Sequence, residues 1–202
     1  MQYGIYEIML NCKNLIITKI FHPKARLIRY PFYLRNGKNV KLGDKFTCGY
    51  NCRIESIPYD NSYGLIEFGN NVKIGDYVHI ASAKKVSIED NVLMASHVFI
   101  SDLDHGKYSG DNQTNPAISP DIRELNAEEV FIGRNTWIGE NVVILKGVRV
   151  GSGCIIGANS LITKNIPDNS IVIGCNKVIK RYDEVTKEWV KYDSIQCCNP
   201  NV

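Results

Sequence analysis

Aliphatic residues recur at every sixth position along much of the chain. The stretch VFIGRNTWIGENVVILKGVRVGSGCIIGANSLITKNIP, which starts at residue 130, keeps this period without a slip. The period matches neither the 3.6 residues of a helical turn nor the two-residue alternation of an ordinary strand. The repeated aliphatic positions are Ile132, Ile138, Ile144, Val150, Ile156 and Ile162.

Three shorter runs keep the same period earlier in the chain. Such a period predicts short strands joined by tight turns, stacked into coils that bury one continuous aliphatic column. Glycine and asparagine between the aliphatic positions allow the turns. Three faces per coil would make a triangular prism of roughly five or six coils. The runs are Leu42, Cys48 and Ile54; Phe68, Ile74 and Ile80; and Ile88, Met94 and Ile100.

Residues 3 to 20 show helical spacing instead, which predicts an amphipathic N-terminal helix. We expect this helix to cap the solenoid, whose end would otherwise expose core and unpaired strand edge. The alternative is a helix on a membrane surface, for which the polar face offers Lys13 and Lys19 as cations. The apolar positions are Ile5, Ile8, Met9, Cys12, Leu15, Ile16 and Ile20.

The pattern divides the chain into three parts. Residues 1–39 are predicted to form the helical cap and a lead-in strand. Residues 40–174 form the β-helix, with an excursion loop over 101–129 in which the six-residue phase disappears. Residues 175–202 form a tail that packs on the body. The predicted fold is all-β, with one helix at its N-terminus.

Composition narrows the class of protein. The chain has 202 residues with 24 basic and 21 acidic side chains, a balance too mild to indicate nucleic-acid binding. No apolar stretch approaches the roughly 18 residues of a transmembrane helix, so no integral membrane segment is expected. The N-terminus does not read as a signal peptide, and we therefore expect a cytoplasmic protein.

The seven cysteines do not indicate disulfides or zinc. Their number is odd, no C-x-x-C occurs, and no Cys/His set has zinc spacing. Cys48, Cys52 and Cys154 fall on inward positions and are predicted to be small core residues. Cys197 and Cys198 lie in the polar tail and are expected to be reduced thiols.

The excursion carries a single histidine near its base. The segment ISDLDHGKYSG places His105 between a run of aspartates and two glycines. A loop of about 30 residues inside a compact repeat is usually functional or disordered. A histidine side chain is suited to general-base chemistry, because its unperturbed pKa is about 6.5. The sequence therefore points to His105 as a candidate base.

The repeat resembles the hexapeptide-repeat acyltransferases over roughly residues 40 to 181, and their fold is a left-handed parallel β-helix. MASHVFISDLDH occupies the frame that ends in the catalytic histidine of the galactoside and maltose O-acetyltransferases. HGKYSG resembles the loop opening of sugar and capsule O-acetyltransferases. The resemblance implies that His105 removes the proton of a sugar hydroxyl as it attacks the thioester carbonyl of acetyl-CoA.

The chain departs from these relatives at two places near the base. Leu103 stands where many of them have the first histidine of DHxHG, so a two-histidine site is not expected. Gly75 replaces a polar residue of the maltose-type acceptor pocket, which argues against a close maltose or galactoside enzyme. Asp102, Asp104 or a backbone carbonyl could orient the imidazole, as the third member of a triad does.

The resemblance also implies a groove for acetyl-CoA, in which each residue has a different part of the donor to hold. An aromatic residue and a glycine would flank the pantetheine, and small or hydroxyl residues would follow it. Lysines would meet the phosphates. The family's GxPAKVIK appears here as GCNKVIK, one residue shorter. The implied cofactor residues are Trp137, Gly139, Ala158, Ser160, Thr163, Lys164, Lys177 and Lys180.

The predicted activity is O-acetylation of a carbohydrate, a surface polysaccharide or its precursor, by a homotrimer with sites between subunits. Tyr108, Asp111 and Arg123 are expected to help form the acceptor pocket. The alternatives are N-acetylation of an amino-sugar, a xenobiotic acetyltransferase and a non-catalytic scaffold. No metal is expected: the γ-class carbonic anhydrases use histidines five apart, and His97 and His105 are eight apart.

Overall fold

The chain folds into one helix followed by many short strands. The structure is a computed structural model that describes residues 4–183 and 185–192. The helix is α1 (Ile5–Phe21), and two short 3-10 turns cover Gly37–Asn39 and Pro120–Ile122. In chain order the strands are β1 (Leu27–Ile28), β2 (Phe32–Arg35), β3 (Val40–Lys41), β4 (Thr47–Cys48), β5 (Cys52–Ser56), β6 (Pro58–Tyr59), β7 (Ser62–Tyr63), β8 (Leu65–Phe68), β9 (Lys73–Ile74), β10 (His79–Ser82), β11 (Lys85–Ile88), β12 (Leu93–Met94), β13 (Phe99–Ser101), β14 (Leu103–His105), β15 (Leu125–Ala127), β16 (Val130–Ile132), β17 (Trp137–Ile138), β18 (Val143–Ile144), β19 (Arg149–Val150), β20 (Ile155–Ile156), β21 (Leu161–Ile162), β22 (Ser170–Ile173), β23 (Lys177–Asp183) and β24 (Glu188–Lys191).

Three stacks of parallel strands form the faces of a prism. Sheet A runs β1-β4-β9-β12-β17-β20-β22, sheet B runs β2-β5-β10-β13-β18-β21, and sheet C runs β3-β8-β11-β16-β19. The chain visits the three sheets in turn, so each coil pairs with the coils before and after it. The predicted parallel β-helix is confirmed.

The core is the column of aliphatic side chains that the six-residue period predicts. In sheet B, Ile54, Ile80, Ile100, Ile144 and Ile162 stand in register on successive strands. Each of them is 0% exposed, because the neighbouring coils and the other two faces cover it. Burial of such columns is the main source of stability in this architecture.

Asparagines make many of the tight turns. Asn51, Asn141 and Asn159 have φ between 56° and 58°, in the left-handed region that asparagine tolerates better than most residues. Asn91 also bonds to the asparagine of the next coil, with Nδ2 of Asn91 3.2 Å from Oδ1 of Asn135. The turns therefore stack on one another as the strands do.

The parallel stack begins before residue 40. Leu27 of β1 pairs with Thr47, and Leu34 of β2 pairs with Ile54. Residues 27–39 therefore already form one coil, although the six-residue period becomes regular only later. The turn around Pro31 and the turn at Gly37–Asn39 change the local spacing and hide this coil from the sequence pattern.

Helix α1 forms where the spacing predicts it, but it turns its polar side towards the prism. Its buried residues are Asn14 and Thr18, whereas Met9 and Ile16 are 66% and 62% exposed. Polar hydrogen bonds to β1 hold the helix, as detailed below. The helix therefore packs on the first coil, but it does not bury its apolar stripe there. No helix among the described residues is long and apolar enough to cross a membrane.

The described part of the tail is an antiparallel hairpin. Strands β23 and β24 continue sheet A beyond β22, and Tyr182 packs edge-on against Trp189. Residues 193–202, which include Cys197 and Cys198, lie outside the described residues.

The inward cysteines are core residues, as predicted. Cys48, Cys52 and Cys154 are each 0% exposed. Burial raises the pKa of the Cys48 and Cys154 thiols. The protonated thiols then pack as small hydrophobic groups.

Candidate active site

One edge of the prism, between sheets B and C, carries the additions to the regular coil. Ile100 of sheet B is separated from Ile132 of sheet C by 32 residues, whereas Ile80 and Ile88, at the same edge one coil earlier, are separated by eight. The hairpin of β6 and β7 leaves the prism at the same edge, two coils earlier. We call this edge the insertion edge.

Asp102 anchors the excursion to the insertion edge. Its carboxylate is 0% exposed and accepts hydrogen bonds from Ser82 Oγ at 2.7 Å, from Ala83 N at 2.7 Å and from Lys84 N at 2.9 Å. These three donors occupy both oxygens. Asp102 therefore fixes the place where the excursion starts, and in this structure it does not contact the imidazole of His105.

The excursion begins as an antiparallel ribbon rather than a loop. Strand β14 pairs with β15, and His105, the last residue of β14, lies opposite Leu125. The ribbon continues for one step, because Gly106 N donates to Glu124 O at 2.9 Å. The side chain of His105 is exposed, so the imidazole stands at the free end of a rigid ribbon.

Tyr108 and Arg123 hold the loop beyond the ribbon. The Tyr108 hydroxyl donates to the backbone carbonyl of His105, and Arg123 Nη1 donates to the same hydroxyl at 2.7 Å. Gly106 has φ 109°, and an added Cβ there would lie 2.7 Å from the Tyr108 oxygen. The His-Gly pair thus leaves room for the tyrosine to fold back onto the histidine.

Arg123 also closes the loop on itself. Its Nε donates to Ile118 O at 2.9 Å and its Nη2 to Pro116 O at 3.2 Å. Of the three residues expected in an acceptor pocket, Tyr108 and Arg123 thus bond to the loop itself, and Asp111 is exposed at its tip.

Asp104 faces the next coil and not the histidine. Lys146 Nζ lies 3.6 Å from its carboxylate and also contacts Glu128, which follows β15. Burial lowers the pKa of Lys146, but the hydrogen bond from Glu128 and the charges of Glu128 and Asp104 outweigh it and raise that pKa. Lys146 therefore ties both strands of the ribbon to the prism as a cation.

Asp121 lies in the short 3-10 turn of the excursion and contacts Ser119. The hydrogen bond from the Ser119 hydroxyl lowers the pKa of the Asp121 carboxyl, and the charge of His105 makes a smaller contribution in the same direction. No hydrogen bond joins the imidazole to a carboxylate within residues 4–183 and 185–192.

The side chain of Trp137 projects outward from sheet A and is partly exposed to solvent. It is 52% exposed and stands in register between Leu93 and Ile155. At the next position but one, Gly139 fits against the coil above: an added Cβ would lie 2.6 Å from Ala158 N. Trp137, Gly139 and Ala158 are therefore brought together at one edge of sheet A.

Three further predicted cofactor residues, Ser160, Thr163 and Lys164, differ in how far they are exposed. Ser160 is 1% exposed and its hydroxyl donates to Gly157 O at 2.6 Å, so it does not present that hydroxyl to the surface. The backbone N–H groups of Thr163 and Lys164 both donate to Oδ1 of Asn176, at 2.8 Å and 3.1 Å. The Lys164 side chain remains exposed.

Lys177 and Lys180 lie on β23, the first antiparallel strand of sheet A. They pair with Ile173 and Ile171, and both side chains are exposed. Together with Lys164 they place three cations near the C-terminal end of the prism. Their arrangement suits an anionic ligand, because each amine points to solvent.

The histidine and the predicted cofactor residues do not form one group. In the described part of one chain, no hydrogen bond, ion pair or strand pairing links the ribbon of His105 to Trp137 or to the three predicted lysines. Trp137 and the two lysines of β23 lie on sheet A, whereas Thr163 and Lys164 follow β21 of sheet B and lie at the insertion edge, further along the prism. A single chain therefore leaves His105 and Trp137 on different sides of the prism.

The other outward histidines have structural partners. His79 Nε2 lies 2.9 Å from the carboxylate of Glu55, which is 3% exposed and also contacts Arg53 at 2.7 Å and Arg35 at 2.8 Å. Burial raises the pKa of Glu55, but hydrogen bonds from Arg53 and His79 outweigh it and bring that pKa below its ordinary value.

His97 stacks on Tyr77, with ring centroids 4.9 Å apart. Both residues have positive φ, at turn positions where neighbouring coils carry asparagine. The described residues contain no group of three or more His, Cys, Asp or Glu side chains that could hold a metal ion.

Comparison with known proteins gives four matches that bear on this geometry. The model of a bacterial transferase hexapeptide family (six repeats) matches residues 129–164. A putative lipopolysaccharide biosynthesis O-acetyl transferase, WbbJ, of Escherichia coli K12 is 38% identical over 192 residues, which cover 94% of this chain and 96% of that protein.

The third match is a solved structure, a galactoside acetyltransferase in complex with coenzyme A. It is 27% identical with a TM-score of 0.51, over 74% of each chain. A maltose O-acetyltransferase from Clostridium difficile covers 90% of each chain with a TM-score of 0.59 and 22% identity, and supports the left-handed parallel β-helix fold alone.

Proposed function

Because this chain belongs to the hexapeptide-repeat acyltransferases, we propose that it moves an acetyl group from acetyl-CoA to a hydroxyl of a carbohydrate. The acceptor is a surface polysaccharide or its precursor, and His105 is the general base. The observation that carries the proposal is the 38% identity to the lipopolysaccharide O-acetyl transferase across almost the entire chain. Since acetyl-CoA is made inside the cell, we place the reaction in the cytoplasm.

The exposed imidazole at the end of the β14–β15 ribbon supports the role of His105. The ribbon is held by Asp102 at one end and by Lys146 along its side, so the imidazole is presented by a fixed backbone. A base at the end of such a support can meet an acceptor hydroxyl without reorganising the coils. Positioned bases contribute about 10²–10⁴-fold to a rate.

In the proposed reaction, His105 alone carries the proton from the acceptor to the leaving group. Acetyl-CoA supplies the acetyl group as a thioester. The imidazole of His105 takes the proton from the acceptor hydroxyl as its oxygen bonds to the carbonyl carbon. When the carbon–sulfur bond breaks, the imidazolium returns that proton to the departing thiolate. Backbone N–H groups in the cleft would stabilise the negative charge that develops on the carbonyl oxygen.

Sheet A and the segments that flank β21 supply residues that fit the donor. The exposed face of Trp137 would pack along the pantetheine arm beside the close Gly139–Ala158 approach. Lys164, Lys177 and Lys180 would pair with the phosphates as exposed cations. Thr163 would line the same path through its side chain, and Ser160 supports it from within. What supports this assignment is the galactoside acetyltransferase complex with coenzyme A, at 27% identity.

A homotrimer would bring His105 and the residues of sheet A together. Within one chain, His105 and Trp137 stand on different parts of the prism. A threefold arrangement of prisms would let the ribbon of one subunit reach sheet A of its neighbour, and the two walls would exclude water from the cleft. Trp137 of sheet A and Leu161 of sheet B are exposed apolar residues that contacts between subunits would cover.

The test is release of free CoA from acetyl-CoA, measured with a thiol reagent across a panel of sugars and amino-sugars. We expect release to require a carbohydrate hydroxyl and His105→Ala to lower kcat by about 10²–10⁴-fold. His97→Asn is the matched control, because neighbouring coils carry asparagine at that left-handed turn position.

Two outcomes would contradict the proposal. Acceptor-dependent release that survives His105→Ala would show that another group is the base. Release only with amino-sugars, with an amide as the product, would show that nitrogen is acetylated.

A further inference from the structure

Helix α1 is attached to the prism by its polar side. Thr18 Oγ1 accepts a hydrogen bond from Ile28 N at 2.9 Å, and Asn14 Oδ1 accepts one from Tyr30 N at 3.3 Å. Thr18 is 0% and Asn14 3% exposed. Both bonds reach the first coil. The two polar side chains, which an amphipathic helix would normally expose to solvent, therefore set the rotation of the helix about its own axis.

The opposite side of α1 is apolar and open to solvent. Ile5, Met9, Ile16 and Ile20 are spaced by four or seven residues and therefore lie on one face of the helix. Their exposed fractions are 80%, 66%, 62% and 67%. Thr18 and Asn14 lie on the other side of the helical wheel, so the apolar face points directly away from the prism.

A second apolar area lies at the adjacent end of the prism. Phe21, the last residue of α1, is 70% exposed and borders a cavity of about 380 Å³. Leu34, Val40 and Leu42, core residues of the first coils, line the same cavity and are only partly buried. Apolar side chains are therefore exposed at this end of the prism as well as on the helix.

Positive charge is concentrated next to these apolar areas. Residues 1–30 carry five basic side chains and one acidic one, and the other 172 residues carry 19 basic and 20 acidic ones. The first 30 residues therefore account for the whole net positive charge. Lys13, Lys24 and Arg26 are exposed, and Lys24 lies 3.8 Å from the carboxylate of Asp44.

We propose that α1 docks on the surface of an anionic phospholipid bilayer, with its apolar face in the boundary between headgroups and acyl chains. An exposed apolar helix face bordered by cations is the combination that binds such surfaces. The helix has 17 residues and is therefore about 25 Å long, which suits a helix that lies in the interface plane.

The charge favours lipid over a second copy of the chain. A contact between two copies through the same surface would bring two equally positive segments together. Anionic headgroups would neutralise that charge. Docking would hold the prism at the membrane by its N-terminal end. This inference does not depend on the proposed reaction, because α1 contributes none of the residues assigned to it.

The experiment uses the full chain and two kinds of vesicle, one of phosphatidylcholine alone and one with added phosphatidylglycerol. We expect co-sedimentation with the anionic vesicles to be at least tenfold stronger than with the neutral ones, and to weaken as salt is added. Ile16→Ser together with Ile20→Ser should weaken binding at least tenfold. Lys13→Glu together with Arg26→Glu should weaken it mainly with anionic vesicles.

A double substitution far from α1 is the matched control. Ile122→Ser with Val185→Ser changes side chains that are 73% and 91% exposed, and should leave vesicle binding unchanged. Circular dichroism checks that each variant is folded. Acetyl transfer to a water-soluble acceptor should be unchanged in the α1 variants, so this test can fail independently of the proposed function.

Three outcomes would overturn the docking proposal. They are no sedimentation of the wild-type chain with anionic vesicles, unchanged binding after Ile16→Ser with Ile20→Ser, and an equal loss of binding in the control variant. If light scattering showed that the α1 variants dissociate an oligomer while the wild type ignores vesicles, the apolar face would belong to a contact between copies.

Discussion

The regular coils over residues 130–172 and the excursion over residues 101–129 are held by different forces. In the coils, aliphatic residues of the same column cover one another, and the strands pair from one coil to the next. In the excursion, a few polar contacts fix the backbone: Asp102 at the base, Lys146 at the side and Arg123 in the loop. Stability should therefore be distributed over the prism, whereas the geometry of His105 should depend on single residues.

The largest effect on stability is expected in the coils. Ile144→Ala removes a side chain that is 0% exposed and stands between Ile100 and Ile162 in the column of sheet B. It should lower the free energy of unfolding by about 2–5 kcal/mol, because the rigid stack cannot close the cavity. Denaturant unfolding measures this loss. Activity per folded molecule should stay near wild type.

Val143→Ala is the control for that substitution, since Val143 is the outward neighbour of Ile144 on β18 and is only half-buried. It should cost about 1 kcal/mol or less. Similar losses for Val143→Ala and Ile144→Ala would show that the column does not carry the stability of the coils.

Asp102 and Asp104, which the sequence analysis treats alike, are expected to contribute differently to stability. Both effects should be smaller than that of Ile144→Ala. Asp102→Ala leaves buried donors at Ser82, Ala83 and Lys84 without their acceptor, and should cost about 1.5–3 kcal/mol. Asp104→Ala breaks a partly exposed ion pair with Lys146, and should cost at most about 1 kcal/mol. Unfolding curves and kcat for both variants test the difference.

A catalytic loss in Asp104→Ala that matches His105→Ala, with normal stability, would contradict this view. It would indicate that Asp104 orients the imidazole in the assembled enzyme.

The smallest expected effect on stability is in the loop, where substitutions should instead lower kcat. Tyr108→Phe removes the hydroxyl that joins the His105 carbonyl to Arg123, and Arg123→Lys removes the forked contacts to Pro116 and Ile118. Each should lower kcat about tenfold, since small displacements of a catalytic group are costly. The KM for acetyl-CoA should not change.

Tyr63→Phe, on the hairpin at the same edge, is the control and should be silent. A raised KM for the sugar with unchanged kcat would instead place Tyr108 or Arg123 in the acceptor pocket, as the sequence alone suggests. A lower kcat therefore indicates that the residue positions His105, whereas a higher KM for the sugar indicates that it binds the acceptor.

Helix α1 shows where sequence reasoning reached its limit. The spacing of Ile5, Met9, Ile16 and Ile20 was sufficient to predict a helix. The cap that we expected follows from the usual rule that the apolar face is buried. Asn14 and Thr18 reverse this, because their hydrogen-bonding partners, Ile28 N and Tyr30 N, belong to a coil whose position no local pattern reveals.

The sequence by itself determined the period of six, the inward column, the place of the excursion and the histidine within it. These follow from residue types repeated along the chain, and a repeat imposes the same local geometry wherever it occurs. Only the tertiary structure decided that Asp102 serves the backbone of another coil and that α1 faces outward. Each of these depends on partners that are distant in sequence, and such partners become known only when the coils are stacked.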